Sequence, residues 1–179
     1  MPFTPFHVIA VWPLYTRWPK RWDLLALSFG SVMSDLEVIT VYPIFQTWES
    51  GRGIMHSLLG VFTMNLLLAV LAARYLAPWL ATRLDRRFPG KGWRLFAGHD
   101  VVNDRKSWPV TIGSAIFGGL THLGLDLFMH VDTPIFWPWR TEYIRALPFE
   151  IVVNPVWNIG IEIVVAIPFF WMLWRWVGK

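Results

Sequence analysis

His122, Asp126 and His130 recur at intervals of four within THLGLDLFMH, residues 121–130, in a run that is otherwise apolar from Val110 onward. On a helix each step of four residues turns 400°, so the three positions drift by only about 40° per step and form one stripe, with about 6 Å of rise between neighbours. A histidine and an aspartate one turn apart can share a metal ion. A polar stripe can also join helices by hydrogen bonds, each worth about 0.6 kcal/mol in a membrane. Burying an aspartate at that depth costs about 2.5–3.5 kcal/mol, so hydrogen-bonded glue alone does not offset it.

Other ionisable residues in apolar surroundings extend the set. His7 rides on PFTPFHVIAVWPLY, Asp35 and Glu37 lie in GSVMSDLE, and His56 precedes SLLGVF. Counted together, His7, Asp35, His56, His122, Asp126 and His130 are candidate metal ligands. Six exceed the three protein ligands of an open zinc site and approach the needs of a two-ion cluster. The chain has no cysteine. Imidazole and carboxylate must then do the binding, which suits zinc above all, with manganese or iron as further options, and argues against copper(I) and iron–sulfur clusters. One or two such ions would polarise a phosphoryl oxygen and activate water. Asp35, Glu37 and Glu162 are the candidate general bases or proton relays. Glu162 extends a spacing of four that begins at Asn154 and Asn158. Glu37, two residues from Asp35, cannot share its helical face, and so belongs behind the ligands or marks a non-helical turn. Arg52, Arg140 and Arg145 are candidate phosphate clamps, guanidinium being suited to bidentate contact.

The elements that must position these residues are those of an integral membrane protein. The 179 residues are 55% hydrophobic and 16% charged, with a mean hydropathy of +0.43. Thirteen tryptophans add residues that favour the headgroup level. Four segments are long enough to cross a bilayer, which needs ~20 residues, at 24–46, 55–81, 109–131 and 151–176. The expected fold is an all-α helical bundle, one membrane domain over 1–179, with four transmembrane helices and a short, partly inserted N-terminal helix. The acids of GSVMSDLE predict that the first span is broken or shielded there. Pro78 predicts an end or bend in the second, and Pro168 a kink in the fourth. Because Arg17, Lys20 and Arg21 follow the apolar opening, its polarity is opposite to that of a secretory signal.

Charge placement suggests orientation. The connector 82–108 carries Arg83, Arg86, Arg87, Lys91, Arg94, Arg105 and Lys106, whereas 47–54 and 132–150 carry only Arg52, Arg140 and Arg145. Positive-inside bias puts the N-terminal basic segment, that connector and the C-terminus (Arg175, Lys179) in the cytoplasm, and the ligand set in the outer half of a cytoplasmic-membrane protein. The same loops account for the net charge of +4 without invoking nucleic acid. The external VDTPIFWPWRTEYIRALPFE, with Trp137 and Trp139, could cover the entrance. His99 in the connector reads as solvated.

At MPFTPFHVIAVWPL, GSVMSDLE, MHSLLG and GGLTHLGLDLFMH the sequence resembles the YdjM-like membrane-bound metal-dependent hydrolases and related uncharacterised membrane families. The resemblance spans the first 130 residues. It implies a metal site built from an N-terminal histidine, an acidic element, an Arg-containing turn before His-Ser and a His-x3-Asp helix, which fall here on His7, Asp35, Glu37, His56, His122 and Asp126. Ser34 stands where that group often has proline. The expectation is a metal-dependent hydrolase acting on a phosphoester of a membrane lipid or lipid-linked substrate. Two alternatives stand beside it. A metal-ion or proton transporter or channel would carry ligands on into the inner half, where VLAARYLA and IPFFWMLW have none and Asn65 is a partial exception. A non-catalytic scaffold would hold a structural metal with every coordination position filled.

Overall fold

The computed structural model describes residues 4–45, 52–89, 95–96, 99–100, 106–140, 142 and 144–177. Lys91, Arg94, Arg105 and Lys179 lie outside them. Among the described residues the chain is mainly helical; its extended pairings are β1, Leu95–Phe96, with β2, His99–Asp100, and an isolated bridge between Thr133 and Ile144 in the loop after the long helix that ends at Met129. A 3-10 turn, Thr4–His7, leads into α1, Val8–Arg17.

The expected first span is two helices, α2 (Leu24–Gly30) and α3 (Asp35–Phe45), each too short to cross a bilayer alone. Between them the chain turns over residues 31–34. The break puts Asp35 and Glu37 in the first turn of α3, where the positive end of the helix dipole favours carboxylates.

Three helices are long and apolar enough to cross a membrane: α4 (Leu58–Arg87), α5 (Trp108–Met129) and the Pro155–Met172 stretch of a longer helix. A 3-10 turn, Ile54–His56, precedes α4, and Ser57 caps it by accepting from Gly60 N at 3.1 Å. Of the end or bend expected at Pro78, the end does not occur: α4 runs on to Arg87, six residues past the expected boundary at 81. A π turn over Ala72–Leu76 comes just before the proline. That widened turn contains residue 74, whose carbonyl the proline ring would otherwise crowd. After α5 come a short α6 (Phe149–Val152) and then α7 (Pro155–Val177), which continues through Pro168. The helix expected from 151 starts at Pro155, with Asn154 Oδ1 accepting from Val156 N at 2.9 Å.

The tightest packing is α2 against α5, and small residues permit it. A Cβ at Gly30 would overlap Ala115 O, and one at Gly118 would overlap Leu27 O. In lipid, where apolar surface gains little by leaving tails for another helix, such close backbone approach is what holds helices together. Val61 of α4 fits against Gly119, whose Cβ would lie 3.0 Å from it. Ala26, Met33, Ala69, Ala72, Ala73 and Ala115 fill the seam between α2, α4 and α5. The ring of Phe6 meets Phe169 and Phe170 at 5.1 and 6.0 Å, which ties α7 to the N-terminal turn.

One end of the bundle is fastened by a polar chain. Asp23 caps α2 through Ala26 N at 3.1 Å and accepts from Thr111 Oγ1 at 2.7 Å, while Ser114 Oγ accepts from Asp23 N at 2.9 Å. Arg74 Nη2 donates to Thr111 Oγ1 at 2.8 Å and to Lys106 O, and its guanidinium lies over Trp108. Helices α2, α4 and α5 are thus pinned at the end away from His122.

Candidate metal centre

The buried face of α5 carries His122 and Asp126, which are 0% and 1% exposed. The α2–α3 break brings Asp35 to them, and the turn ahead of α4 brings His56. Asp35 Oδ1 stands 3.5 Å from His56 Nε2 and 3.6 Å from His122 Nε2. Asp126 Oδ2 stands 3.5 Å from His122 Nε2 and 3.7 Å from His56 Nε2. Hydrogen bonding would close such gaps to about 2.8–3.0 Å. Two donors that each lie about 2.0–2.2 Å from one tetrahedral ion are about 3.3–3.6 Å apart. The four spacings thus resemble the edges of a coordination polyhedron more than a hydrogen-bonded network.

Each imidazole is oriented from behind. His122 Nδ1–H donates to Ser31 O at 2.9 Å, a carbonyl freed by the turn after α2. His56 Nδ1–H donates to Glu37 Oε2 at 3.1 Å, the same oxygen that accepts from Gly53 N at 2.9 Å and Met55 N at 3.0 Å. Carbonyl and carboxylate only accept, so both rings carry a proton on Nδ1 and turn Nε2 inward, where the neutral form of the ring leaves it bare. This is the carboxylate–histidine arrangement found behind metal ligands. Asp35 and Glu37 therefore face opposite nitrogens of one ring, Glu37 bonding Nδ1 and Asp35 standing 3.5 Å from Nε2, which explains why acids two residues apart can belong to one site. His56 Nε2, His122 Nε2 and Asp126 Oδ2 are buried and have no hydrogen-bond partner, a combination that requires explanation in a folded interior. Asn65 Nδ2 donates to Ser34 Oγ at 2.7 Å and to Met55 O at 2.8 Å, clamping together the two turns that carry Asp35 and His56.

Two sets of donors could each hold an ion, Asp35, His56 and His122, and His7, His122 and Asp126; they share His122, whose single inward Nε2 serves one ion at a time. His7 stacks on His122 with ring centroids 4.3 Å apart, and its Nε2 is 3.7 Å from Asp126 Oδ1. Asp126 thus directs one oxygen to each set. His130 Nε2 also lies 3.7 Å from Asp126 Oδ1. It has another partner, however: Arg52 Nη2 approaches it at 3.1 Å, and because guanidinium only donates, that nitrogen accepts. His130 stands outside both donor sets.

Arg52, 6% exposed, is the cation inside this cluster. Its Nη1 is 3.4 Å from both oxygens of Asp132, and its Nε is 3.9 Å from Asp126 Oδ2. Asp132 escaped the sequence reading because it follows the end of α5 and obeys no helical spacing; its only signal was an acid two residues beyond His130. The segment carrying it folds back over the site, with Leu58 N donating to Ile135 O at 2.9 Å and Ala146 N to Leu127 O at 2.7 Å. Four carboxylates, Asp35, Glu37, Asp126 and Asp132, belong to this cluster, and Arg52 contacts two of them, Asp126 and Asp132. In a low-dielectric interior such an excess of negative charge calls for a cation.

The remaining candidates sit elsewhere. Arg140 and Arg145 are exposed, Arg145 over the Phe149 ring, and neither contacts the cluster among the described residues. Glu162 is half-buried on α7 and outside both donor sets. Asn158 Nδ2 donates to Val152 O at 2.8 Å, so this asparagine serves the start of α7.

Residues 1–177 match a family model described as "Domain of unknown function (DUF4184)". No curated protein and no solved structure matches the chain.

Proposed function

We propose, from the premise that this chain belongs to the DUF4184 family, that it is a membrane-embedded metal-dependent hydrolase acting on a phosphoester of a lipid or lipid-linked substrate. In this reading α2 and α3 together make one broken crossing, which with α4, α5 and α7 gives a four-span bundle, its site in the outer half and its basic connector in the cytoplasm. The observation that carries the reading is the set of buried, unpartnered donors of His56, His122 and Asp126, held at 3.5–3.7 Å with Asp35.

A divalent ion, zinc by preference, supplies Lewis acidity toward a phosphoryl oxygen and toward water when bound. Everything else falls to the chain. Asp35, His56, His122 and Asp126 hold the ion, with His7 available to a second. Glu37 and the Ser31 carbonyl fix the imidazoles. The Nε of Arg52 faces the cluster and offers a donor to a phosphoryl oxygen. Asp35 takes up the proton released when water attacks phosphorus and returns it to the leaving oxygen as the P–O ester bond breaks. The arginine–threonine–aspartate chain at the far end of the bundle supports hydrolysis over ion conduction, since it fastens the helices where a pathway would have to continue.

Metal analysis of purified protein tests the proposal. Wild type is expected to retain at least one equivalent of a divalent ion, and His122→Ala and Asp126→Ala to lose it. Phosphate should be released from lipid phosphoesters in a chelator-sensitive manner, with no ion flux in liposomes. A metal-free wild type, or flux without hydrolysis, would overturn it.

A further inference from the structure

A second feature lies on the flank of α4, reaching from the α2–α3 break beside Asp35 to the far end of that helix. There α4 and the α2–α3 break enclose an open groove of about 940 Å³. Leu68, Leu71, Tyr75 and Trp79 line one wall, Met33 and Leu36 face them, Arg74 reaches the groove with its Nη2 already bonded to Thr111 Oγ1 and Lys106 O, and Arg83 and Arg86 stand at one end. From Leu68 to Trp79 the helix rises about 16 Å at 1.5 Å per residue. That is about half of a ~30 Å hydrocarbon core, the depth of one leaflet. Trp79 then falls where indole rings favour the membrane–water boundary, and Arg83 and Arg86 follow about 6–10 Å further along, at headgroup level.

Apolar length, boundary aromatic and cationic end thus occur in the order in which a phospholipid presents tails, glycerol backbone and phosphate. The charge at the end is unspent. Both arginines are exposed. Among the described residues neither pairs with a carboxylate; Arg83 only rests over the Trp79 ring at 5.5 Å. We infer that this groove is a binding site for an anionic glycerophospholipid, its acyl chain lying along α4 and its phosphate held between Arg83 and Arg86. A zwitterionic lipid satisfies the apolar wall equally well but brings its own cation to two guanidinium groups. The proposal therefore commits to net negative headgroup charge, and it does not depend on the metal centre being catalytic.

The test uses the full chain in detergent, with dioleoyl phosphatidylglycerol and dioleoyl phosphatidylcholine as probes and lipid retention read by native mass spectrometry. Wild type is expected to retain the anionic lipid at least tenfold more strongly. In Arg83→Gln/Arg86→Gln the preference should fall to within twofold, while Arg140→Gln/Arg145→Gln, exposed arginines outside the groove, keeps it. Metal content, measured in parallel, should be unchanged in both double variants, so that failure of the lipid site is distinguishable from failure of the metal reading. Equal retention of the two lipids by wild type, or a preference that survives Arg83→Gln/Arg86→Gln, would overturn the inference.

Discussion

Glu37 illustrates how one side chain can act without touching the reacting atoms. Its Oε2 gathers two backbone N–H groups and the Nδ1–H of His56, fixing at once the turn ahead of α4 and the tautomer of a donor. Glu37→Gln keeps an oxygen for the backbone but loses the charge that makes the imidazole a better ligand. Losing such a partner commonly lowers metal affinity about 10–100-fold. Chelator competition on Glu37→Gln should show a loss in that range with helix content intact, well short of the complete loss expected of His122→Ala. Unchanged affinity would reduce Glu37 to a cap of the Gly53–Met55 turn. At this scale the sequence was legible in residue types, not in roles: nothing in a string of letters says that the Ser31 carbonyl will receive His122, because every residue has a carbonyl. His130 shared the helical spacing of the stripe, yet it sits at the end of α5, where Arg52 could reach it.

Between elements, the decisive contact is the close approach of α2 and α5, because it sets the depth at which Asp35 meets His122. Gly118→Ala would drive a methyl group into Leu27 O, and overpacking of this kind costs about 1–3 kcal/mol. Thermal unfolding in detergent should register the loss. Gly124→Ala on the same helix meets nothing within 4 Å, and should be neutral or stabilise by up to about 1 kcal/mol from helix propensity. Equal effects at the two positions would mean that the seam is not tightly packed. The three long helices could be read from hydropathy, and the break in 24–46 from its acids. The course of α4 through Pro78 could not be read, since a π turn has no sequence signature comparable to that of the proline it accommodates. Asp132 was hidden for a related reason: spacing rules identify residues on one helix, and this acid reaches Arg52 from a loop.

For the whole molecule, the division into an end with the buried His and Asp cluster and an arginine-rich end gives orientation a direct readout. The chain lacks cysteine, so any introduced thiol reports alone. Arg140 and Arg87 are both exposed and lie toward opposite ends. In intact cells a membrane-impermeant maleimide should label Arg140→Cys and spare Arg87→Cys until the membrane is permeabilised; the reverse pattern would invert the proposed topology. Asp35 and His56 come from the early part of the chain, whereas His122 and Asp126 wait on α5. During translation the first two donors enter the bilayer while the last two have yet to leave the ribosome. On the proposed reading, filling of the cluster is a late step in biogenesis, and a nascent chain arrested before α5 has no means of completing it.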